Sequence, residues 1–308
     1  MERNDRWRGD REDLAAFAGA FVTLQGDDAP PTQAQMRTMT DFVATLRYPP
    51  NPLRNLDGSV KNEVLPNGGN PSVGEALFTG PNLDGNRTCN ACHALPTGTN
   101  TFINGPRTGE QQTFKVAQLR NAYEKTGFDL TSLDNNRGFG FLHDGTEPSV
   151  FHFLHRSVFN GFLPGPPGDQ QRRDLEAFVF SLGTDTPPAV GTQVTVDATN
   201  KTDPQVLQLL NGMINLANGG QIGMVVKGLI GGQQRGAYYA GGGNFQLDRA
   251  AEILTSNQIL AQAGAGGELT ATAVVLGTEV RIGVDRDEDG KLDRDEIDAG
   301  TDPADPNS

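Results

Sequence analysis

Apolar residues in the first part of the chain recur at spacings of three and four, which is the repeat of an amphipathic helix. Residues 32–47 show this most clearly, with an apolar stripe formed by Met36, Met39, Phe42, Val43 and Leu46. The same pattern predicts further helices over residues 10–24, a short segment around 76–78, 114–125, 148–159 and 169–183. Proline-rich and glycine-rich stretches such as 48–52 and 163–168 separate these helices, because proline cannot continue a helix.

The pattern changes at "TDTPP", residues 184–188. Beyond it, β-branched or alternating runs lie between glycine-rich turns and predict strands. These runs are "VGTQVTVDA", "GMVVKGLIGG", "GAYYAGGGNFQLD", "ELTATAVVLG" and, at 279–284, "EVRIGV". One predicted helix, 204–217, interrupts them, and the chain ends in an acidic loop from Asp285. The second part is therefore expected to be a β-rich domain.

Length and charge limit the classes of function. The 308 residues suffice for two domains, and the 39 glycines and 19 prolines indicate much loop and short β-structure. A net charge of −13 argues against nucleic acid or an anionic membrane as a partner. The longest apolar run, residues 14–24, is too short to span a bilayer, which needs ~20 residues, and it is not followed by a signal-peptide cleavage site.

Both cysteines of the chain lie in "TCNACHA", residues 88–94. A zinc site needs four ligands, and a thioredoxin-like dithiol needs a βαβ context. In covalent haem attachment, the two thiols of C-x-x-C-H form thioethers and the adjacent histidine becomes the proximal iron ligand. We therefore predict one covalent haem c on Cys89, Cys92 and His93, with two free buried thiols as the alternative.

Residues 70–183 resemble a c-type cytochrome domain of the bacterial di-haem cytochrome c peroxidase superfamily. The similar stretches, in the same order, are "GEALFTG", "CNACHA", "FKVAQLRNAY", "FLHDGTEPSVFHFL" and "RRDLEAFVFSL". The resemblance implies a mainly α, cytochrome c-like haem domain. It also implies export to the periplasm, the cell surface or the extracellular space, because haem attachment in this class occurs outside the cytoplasm.

The expected fold class is thus multidomain, with the haem domain followed by a small β-rich domain and a calcium-binding tail. Residues 1–52 are assigned to N-terminal helices that resemble the end of a preceding domain and its linker. Residues 53–186 form the haem domain, 187–284 the β-rich domain and 285–308 the acidic loop and tail. We expect the chain to be a piece of a longer exported or surface protein, or its start to be misassigned.

The second axial ligand of the iron is not evident. The resemblance places a methionine or tyrosine near Ser157, and no methionine lies between Met39 and Met213. His143, in a glycine-rich loop, is the first candidate, and His152 and His155 are alternatives.

Met36, Met39 or an open iron face remain as further alternatives. Arg120 is a candidate partner for a haem propionate, because a buried carboxylate requires a cation or several hydrogen bonds.

The acidic segment "DRDEDGKLDRDE", residues 285–296, fits a twelve-residue calcium loop. Its glycine at position 6, Gly290, supplies the turn, and the tail "AGTDPADP" resembles thrombospondin type 3 repeats. The predicted calcium ligands are Asp285, Asp287, Asp289, the Lys291 carbonyl, Asp293 and Glu296. Because the preceding segment is predicted as a strand, a full helix–loop–helix motif is not expected.

Three functions follow from these features. The favoured one is an exported monohaem electron carrier with a structural calcium site, acting with an unidentified redox partner protein. The second is a peroxidase-like enzyme that has an open iron face and works with a second haem. The third is a calcium-stabilised surface interaction protein.

Overall fold

The computed structural model describes residues 11–105, 113–127, 129–132, 138–264 and 266–308. The first ten residues of the predicted N-terminal segment lie outside this description, as do residues 135–137 of the glycine-rich loop. The chain divides into two compact units, Met1–Thr186 and Pro187–Ser308.

The first unit consists mostly of short helices joined by loops. In chain order its described elements are a 3₁₀ helix (Ala15–Phe17), α1 (Ala18–Gln25), α2 (Gln33–Thr45), α3 (Pro71–Thr79), α4 (Cys89–Cys92), β1 (Ile103–Asn104), β2 (Phe114–Lys115), a second 3₁₀ helix (Ala122–Thr126), α5 (Val150–Phe153) and α6 (Pro166–Phe180). Helix α2 begins at a capping box, in which the Thr32 side chain and the Gln35 side chain each accept a hydrogen bond from the other's backbone N–H.

The core of the first unit is the contact between α3 and α6. The rings of Phe78 and Phe178 meet edge to face, with centroids 5.1 Å apart. Gly74 allows this approach, because a Cβ there would lie 1.9 Å from the carbonyl oxygen of Asp174. The fully buried Asn51 closes the end of α6 by donating to the carbonyls of Phe180 and Leu182, both at 2.8 Å.

The expected fold class, a mainly α cytochrome c-like haem domain followed by a β-rich domain and a tail, is wrong. Across the described residues the protein is 33% helical and 16% strand, with a two-stranded and a six-stranded sheet. Residues 114–125, predicted as a helix, begin as strand β2 and end in a 3₁₀ helix. Their apolar spacing fits a helix, but β2 pairs with β1 and Asn121 adopts a left-handed φ of 65°, which interrupts any helix there.

Helix α5 is also shorter than its sequence pattern predicted. Only four of the residues 148–159 are helical, beginning after Ser149, whose hydroxyl accepts from the His152 N–H. Helix α6, in contrast, is longer at its start than the predicted 169–183, because Pro166 and Pro167 occupy its first turn, where proline is tolerated.

The second unit is built on a six-stranded antiparallel sheet with the strand order β3-β8-β4-β5-β6-β7. Its elements are β3 (Gln193–Val196), α7 (Pro204–Asn218), β4 (Gly223–Ile230), β5 (Gln233–Gly241), β6 (Asn244–Leu247), β7 (Ile253–Thr255), α8 (Ser256–Gln262), β8 (Leu269–Val274), α9 (Glu279–Gly283) and α10 (Asp293–Ala299). The predicted helix 204–217 is present as α7, capped by Asp203.

The two faces of this sheet contact different helices. Val226 is paired with Ala237 and Ala271, and all three pack with Met213 and Leu216 of α7 in one hydrophobic core. The neighbouring pair along the same two strands, Val225 and Tyr238, lies on the opposite face of the sheet. It is beside the backbone of Gly283, at the end of α9. The acidic segment after α9 is therefore attached to this opposite face.

Two predictions for the last 30 residues are corrected. Residues 279–284, predicted as a strand from their alternating pattern, form the helical turn α9, in which the Ile282 N–H donates to the Thr278 carbonyl. The predicted acidic loop from Asp285 contains helix α10. No helix in the described part of the chain is long and apolar enough to cross a membrane.

Candidate functional site

The two cysteines and His93 lie together on one helical turn. Cys89 and Cys92 are the first and last residues of α4, and His93 follows directly as its C-terminal cap. Three-residue spacing places both thiols on the same side of the turn. Neither thiol forms a disulfide, and Cys89 packs against the core of the first unit.

The imidazole of His93 is oriented by two backbone carbonyls. Its Nδ1 lies 2.9 Å from the Gly98 oxygen and 3.0 Å from the Ala117 oxygen. Carbonyl oxygens only accept, so Nδ1 carries the proton, and the lone pair is on Nε2, the atom left to bind a metal ion. Burial lowers the pKa of His93, although both carbonyls oppose this shift. The neutral, ligating form is therefore favoured.

The environment of Cys89 is unlike that of a redox thiol. Burial raises the pKa of the Cys89 thiol to about 11, and the negative charge of Asp84 acts in the same direction. Reactive dithiols have a lowered thiol pKa, because the thiolate is the nucleophile. The thioredoxin-like interpretation of this motif is therefore not supported.

His143 is attached to the same short segment that contacts His93. The ring of Phe114 lies 4.4 Å from the ring of His143, at an interplanar angle of 35°. Phe114 is in β2, and the carbonyl that orients His93 belongs to Ala117, three residues later. Segment 114–117 thus contacts both histidines, through Phe114 and through the Ala117 carbonyl. His143 itself is exposed.

His152 and His155 are engaged elsewhere. Both ring nitrogens of His155 have partners: Nδ1 is 2.9 Å from the Phe151 carbonyl, and Nε2 is 3.1 Å from Asp169 Oδ1. Nδ1 of His152 contacts a carboxylate oxygen of Glu147, which is 4% exposed. Neither histidine is brought to the cysteine turn by a described contact.

Arg120 lies in an ion pair within the first unit. Its Nη1 is 2.6 Å from Asp185 Oδ1, and its Nε donates to Gln118 Oε1 at 2.9 Å. The guanidinium also lies over the ring of Tyr48, 5.4 Å from the centroid. A propionate at Arg120 would share this guanidinium with Asp185.

The acidic segment forms a compact cluster of oxygens in the second unit. Carboxylate oxygens of Asp285, Asp287 and Asp289 lie within 4.8 Å of one another. Backbone N–H groups hold this arrangement, since Gly290 donates to Asp285 Oδ2 at 3.1 Å and Lys291 donates to Asp289 Oδ1 at 2.7 Å. Gly290 has φ 91°, which only glycine adopts readily, and this turn brings the three carboxylates together.

Helix α10 carries Glu296 close enough to the cluster for the charges of Asp287 and Asp289 to act on its carboxylate. The residue is 1% exposed, and its Oε2 has no hydrogen-bond partner, as is also true of Asp287 Oδ2. Burial raises the pKa of Glu296, and the negative charges of Asp287 and Asp289 raise it further. The positive charge of Lys291 opposes this rise only in part. A buried carboxylate beside other carboxylates is unfavourable unless further positive charge is present, so this donor set fits a bound cation.

The side chains of Asp293 and Lys291 both form ion pairs, and the predicted role of the Lys291 carbonyl as a calcium ligand stays a prediction. The Asp293 carboxylate accepts from the backbone N–H and the guanidinium of Arg286, both at 3.0 Å. The Lys291 ammonium is 3.3 Å from Asp289 Oδ2, within the cluster. Because α9 precedes the loop and α10 follows it, the acidic segment is flanked by helices on both sides.

The sequence analysis missed Glu147, a buried carboxylate of the first unit that contacts both His152 and Arg156. It also missed the two carbonyls that orient His93, because backbone oxygens carry no sequence signal. The only available signal for Glu147 was its position five residues before His152 and nine before Arg156. Comparison of the chain with protein-family models, curated proteins and solved structures found no match.

Proposed function

We propose that the chain is an exported electron carrier that holds one haem c covalently on Cys89, Cys92 and His93. The observation that carries the proposal is the orientation of His93 by Gly98 and Ala117, directly after a turn with two unpaired thiols. When bound, haem iron supplies one-electron redox chemistry. The stretches resembling the di-haem cytochrome c peroxidase superfamily support the same proposal.

Cysteine side chains, a histidine and two backbone carbonyls would have different roles in holding the haem. Cys89 and Cys92 would each form a thioether bond, and His93 would offer Nε2 to the iron. The carbonyls of Gly98 and Ala117 keep the His93 ring in one orientation and raise the basicity of its ligating nitrogen.

His143 is proposed as the second axial ligand. Its ring contact with Phe114 links it to the segment that orients His93. A strong second ligand favours electron transfer over chemistry at an open iron face.

A structural calcium ion is proposed for the cluster of Asp285, Asp287, Asp289 and Glu296. The unpartnered oxygens of the buried Glu296 and of Asp287 support it. Hard oxygen donors at these spacings suit calcium, and millimolar calcium outside cells is sufficient for a site of modest affinity. A periplasmic, surface or extracellular location and a redox partner protein are part of the same proposal.

The haem proposal is tested by expressing the chain with a haem-attachment system and measuring covalent haem by the pyridine haemochrome spectrum after denaturation. We expect about one haem per chain in the wild type and none that resists extraction in a Cys89→Ser/Cys92→Ser variant. Absence of covalent haem in the wild-type chain would overturn the proposal.

Spectra of the oxidised and reduced haem-loaded protein, with and without carbon monoxide, distinguish the electron carrier from an enzyme. A low-spin spectrum with slow ligand binding supports two axial ligands. A high-spin spectrum with rapid binding would favour the peroxidase-like alternative instead. If the chain takes up calcium but no haem, the surface-protein alternative is the better description.

A further inference from the structure

The segment that carries His143 is a short loop closed at its base. Phe141 and Glu147 exchange two backbone hydrogen bonds, from the Phe141 N–H to the Glu147 carbonyl at 2.7 Å and in reverse at 3.3 Å. Only five residues lie between them. We refer to residues 141–147 as the His143 loop.

The tip of the His143 loop is also fixed. The Asp144 carboxylate accepts from the backbone N–H of Thr146 at 3.1 Å and from its hydroxyl at 2.9 Å. Leu142, directly before the histidine, has φ 64°, a left-handed conformation that is unfavourable for a non-glycine residue. Such a conformation persists only where the surrounding contacts determine it.

The Glu147 carboxylate joins the base of this loop to helix α5 and the residues after it. One oxygen contacts His152 Nδ1 and the other accepts from Arg156 Nε. Burial alone would raise the pKa of Glu147, but these two hydrogen bonds outweigh it and lower that pKa below the usual value. The charged carboxylate is thus retained in a position that is 4% exposed.

These contacts give the loop one orientation. Backbone hydrogen bonds close its base, and the Asp144 carboxylate holds its tip through Thr146. Both carboxylate oxygens of Glu147 attach the loop to neighbouring residues of the protein. Residues supporting a metal ligand typically change its binding by 10–100-fold when they are removed. The Glu147 carboxylate is therefore placed to control where the His143 ring lies relative to Phe114.

We propose that Glu147 is a positioning residue that holds the His143 loop so that the His143 ring packs on Phe114 and faces the iron site. The ligand role of His143 rests on the proposed function, whereas its contact with Phe114 does not. The proposal thus has one consequence in the chain alone and one in the haem-loaded protein.

The first test uses the full chain without haem. The protein has four histidines, so selective isotope labelling gives four resolvable ring signals. We expect a nuclear Overhauser contact between the rings of His143 and Phe114 in the wild type and its loss in Glu147→Gln. The matched control is Asp169→Asn, which removes the carboxylate charge from the His155–Asp169 pair and leaves the His143 loop unchanged. An undiminished contact in Glu147→Gln overturns the proposal.

The second test measures spin state in the haem-loaded protein. We expect Glu147→Gln to raise the high-spin fraction and to accelerate carbon monoxide binding about tenfold, between wild type and His143→Ala. If His143→Ala is high-spin but Glu147→Gln matches wild type, the positioning role fails and the proposed ligand stands. If His143→Ala stays low-spin, the proposed ligand itself is wrong.

Milder variants guard against misfolding of Glu147→Gln. His152→Ala and Arg156→Gln each remove one of the two contacts to the carboxylate. Each is expected to weaken the His143–Phe114 contact, and no effect from either would count against the proposal.

Discussion

The Nδ1 atom of His93 and the carbonyl oxygen of Ala117 lie 3.0 Å apart, across 24 residues of chain. This bond connects the residue after the cysteine turn to the segment whose Phe114 packs against His143. The Ala117 oxygen and the Gly98 oxygen together fix the tautomer of His93, and the segment of Ala117 links the two histidines that are proposed as ligands of one iron. Two interactions that are distant in sequence therefore determine the candidate site.

The substitution Glu296→Gln is expected to have opposite effects on the melting temperature with and without calcium. With chelator present, Glu296→Gln should raise the melting temperature of the second unit, because it removes a buried charge that has no partner at Oε2. With millimolar calcium, the same variant should bind the ion at least about tenfold more weakly and melt below wild type. Differential scanning calorimetry with and without calcium measures both effects.

The matched control for Glu296→Gln is Asp298→Asn on the same helix, α10. The Asp298 carboxylate pairs with Arg249 and Arg294 outside the cluster. We expect calcium to raise the melting temperature of this control as it does for wild type. A wild-type melting temperature that is identical with calcium and with chelator would contradict a stabilising ion.

Acid should weaken the first unit through Glu147. The folded state lowers the pKa of Glu147 below its ordinary value of 4.5. The corresponding stabilisation is present above pH 4.5 and is lost as the pH falls through the folded-state value. Glu147→Gln should therefore lower the free energy of unfolding by about 2–3 kcal/mol at neutral pH and flatten its decline below pH 4.5.

The measurement is urea unfolding at a series of pH values, followed by circular dichroism. Asp57→Asn serves as a comparison, because Asp57 also has a lowered pKa, caused first by the Ser59 hydroxyl, but is exposed. A Glu147→Gln variant with an unchanged pH profile would show that the contacts to His152 and Arg156 add no stability.

Two glycines in helices are expected to respond oppositely to alanine. Gly74→Ala should destabilise the first unit by about 3 kcal/mol, because the added Cβ would lie 1.9 Å from the Asp174 oxygen. Gly19→Ala, in α1 with nothing within 4 Å of the added carbon, should stabilise by about 0.5–1 kcal/mol. Chemical denaturation of both variants measures the difference, and equal effects would refute the close packing of α3 on α6.

Arg235 in β5 is expected to contribute strongly to the free energy of unfolding of the second unit. It is 9% exposed, and its guanidinium contacts both Asp248 and Glu252. Arg235→Met should cost about 3–5 kcal/mol, because the buried Asp248 would lose its cation. Lys61→Met, which breaks the pair of the half-buried Lys61 with the exposed Glu63, should cost less than about 1 kcal/mol. Unfolding free energies of the two variants decide whether burial makes this difference.

Several features follow from local sequence. The apolar stripes of α2 and α6 predicted helices there, because each helix has its own repeat of apolar positions. The spacing of Cys89, Cys92 and His93 is local in the sequence, and the structure holds the three residues on one helical turn. The alternating Asp285, Asp287 and Asp289 with Gly290 predicted the oxygen cluster, since a tight turn there requires a glycine.

Tertiary structure decided what local pattern could not. Residues 114–117 have a helical apolar spacing, but pairing with β1 and the contact with His93 hold them extended. Residues 279–284 alternate like a strand, yet they form a helix whose end packs on the sheet. The partners of Asp293 and Glu147 likewise depend on which charges the fold brings together. Sequence by itself determined which residue types lie on each short segment, and long-range pairing and burial determined which of them meet.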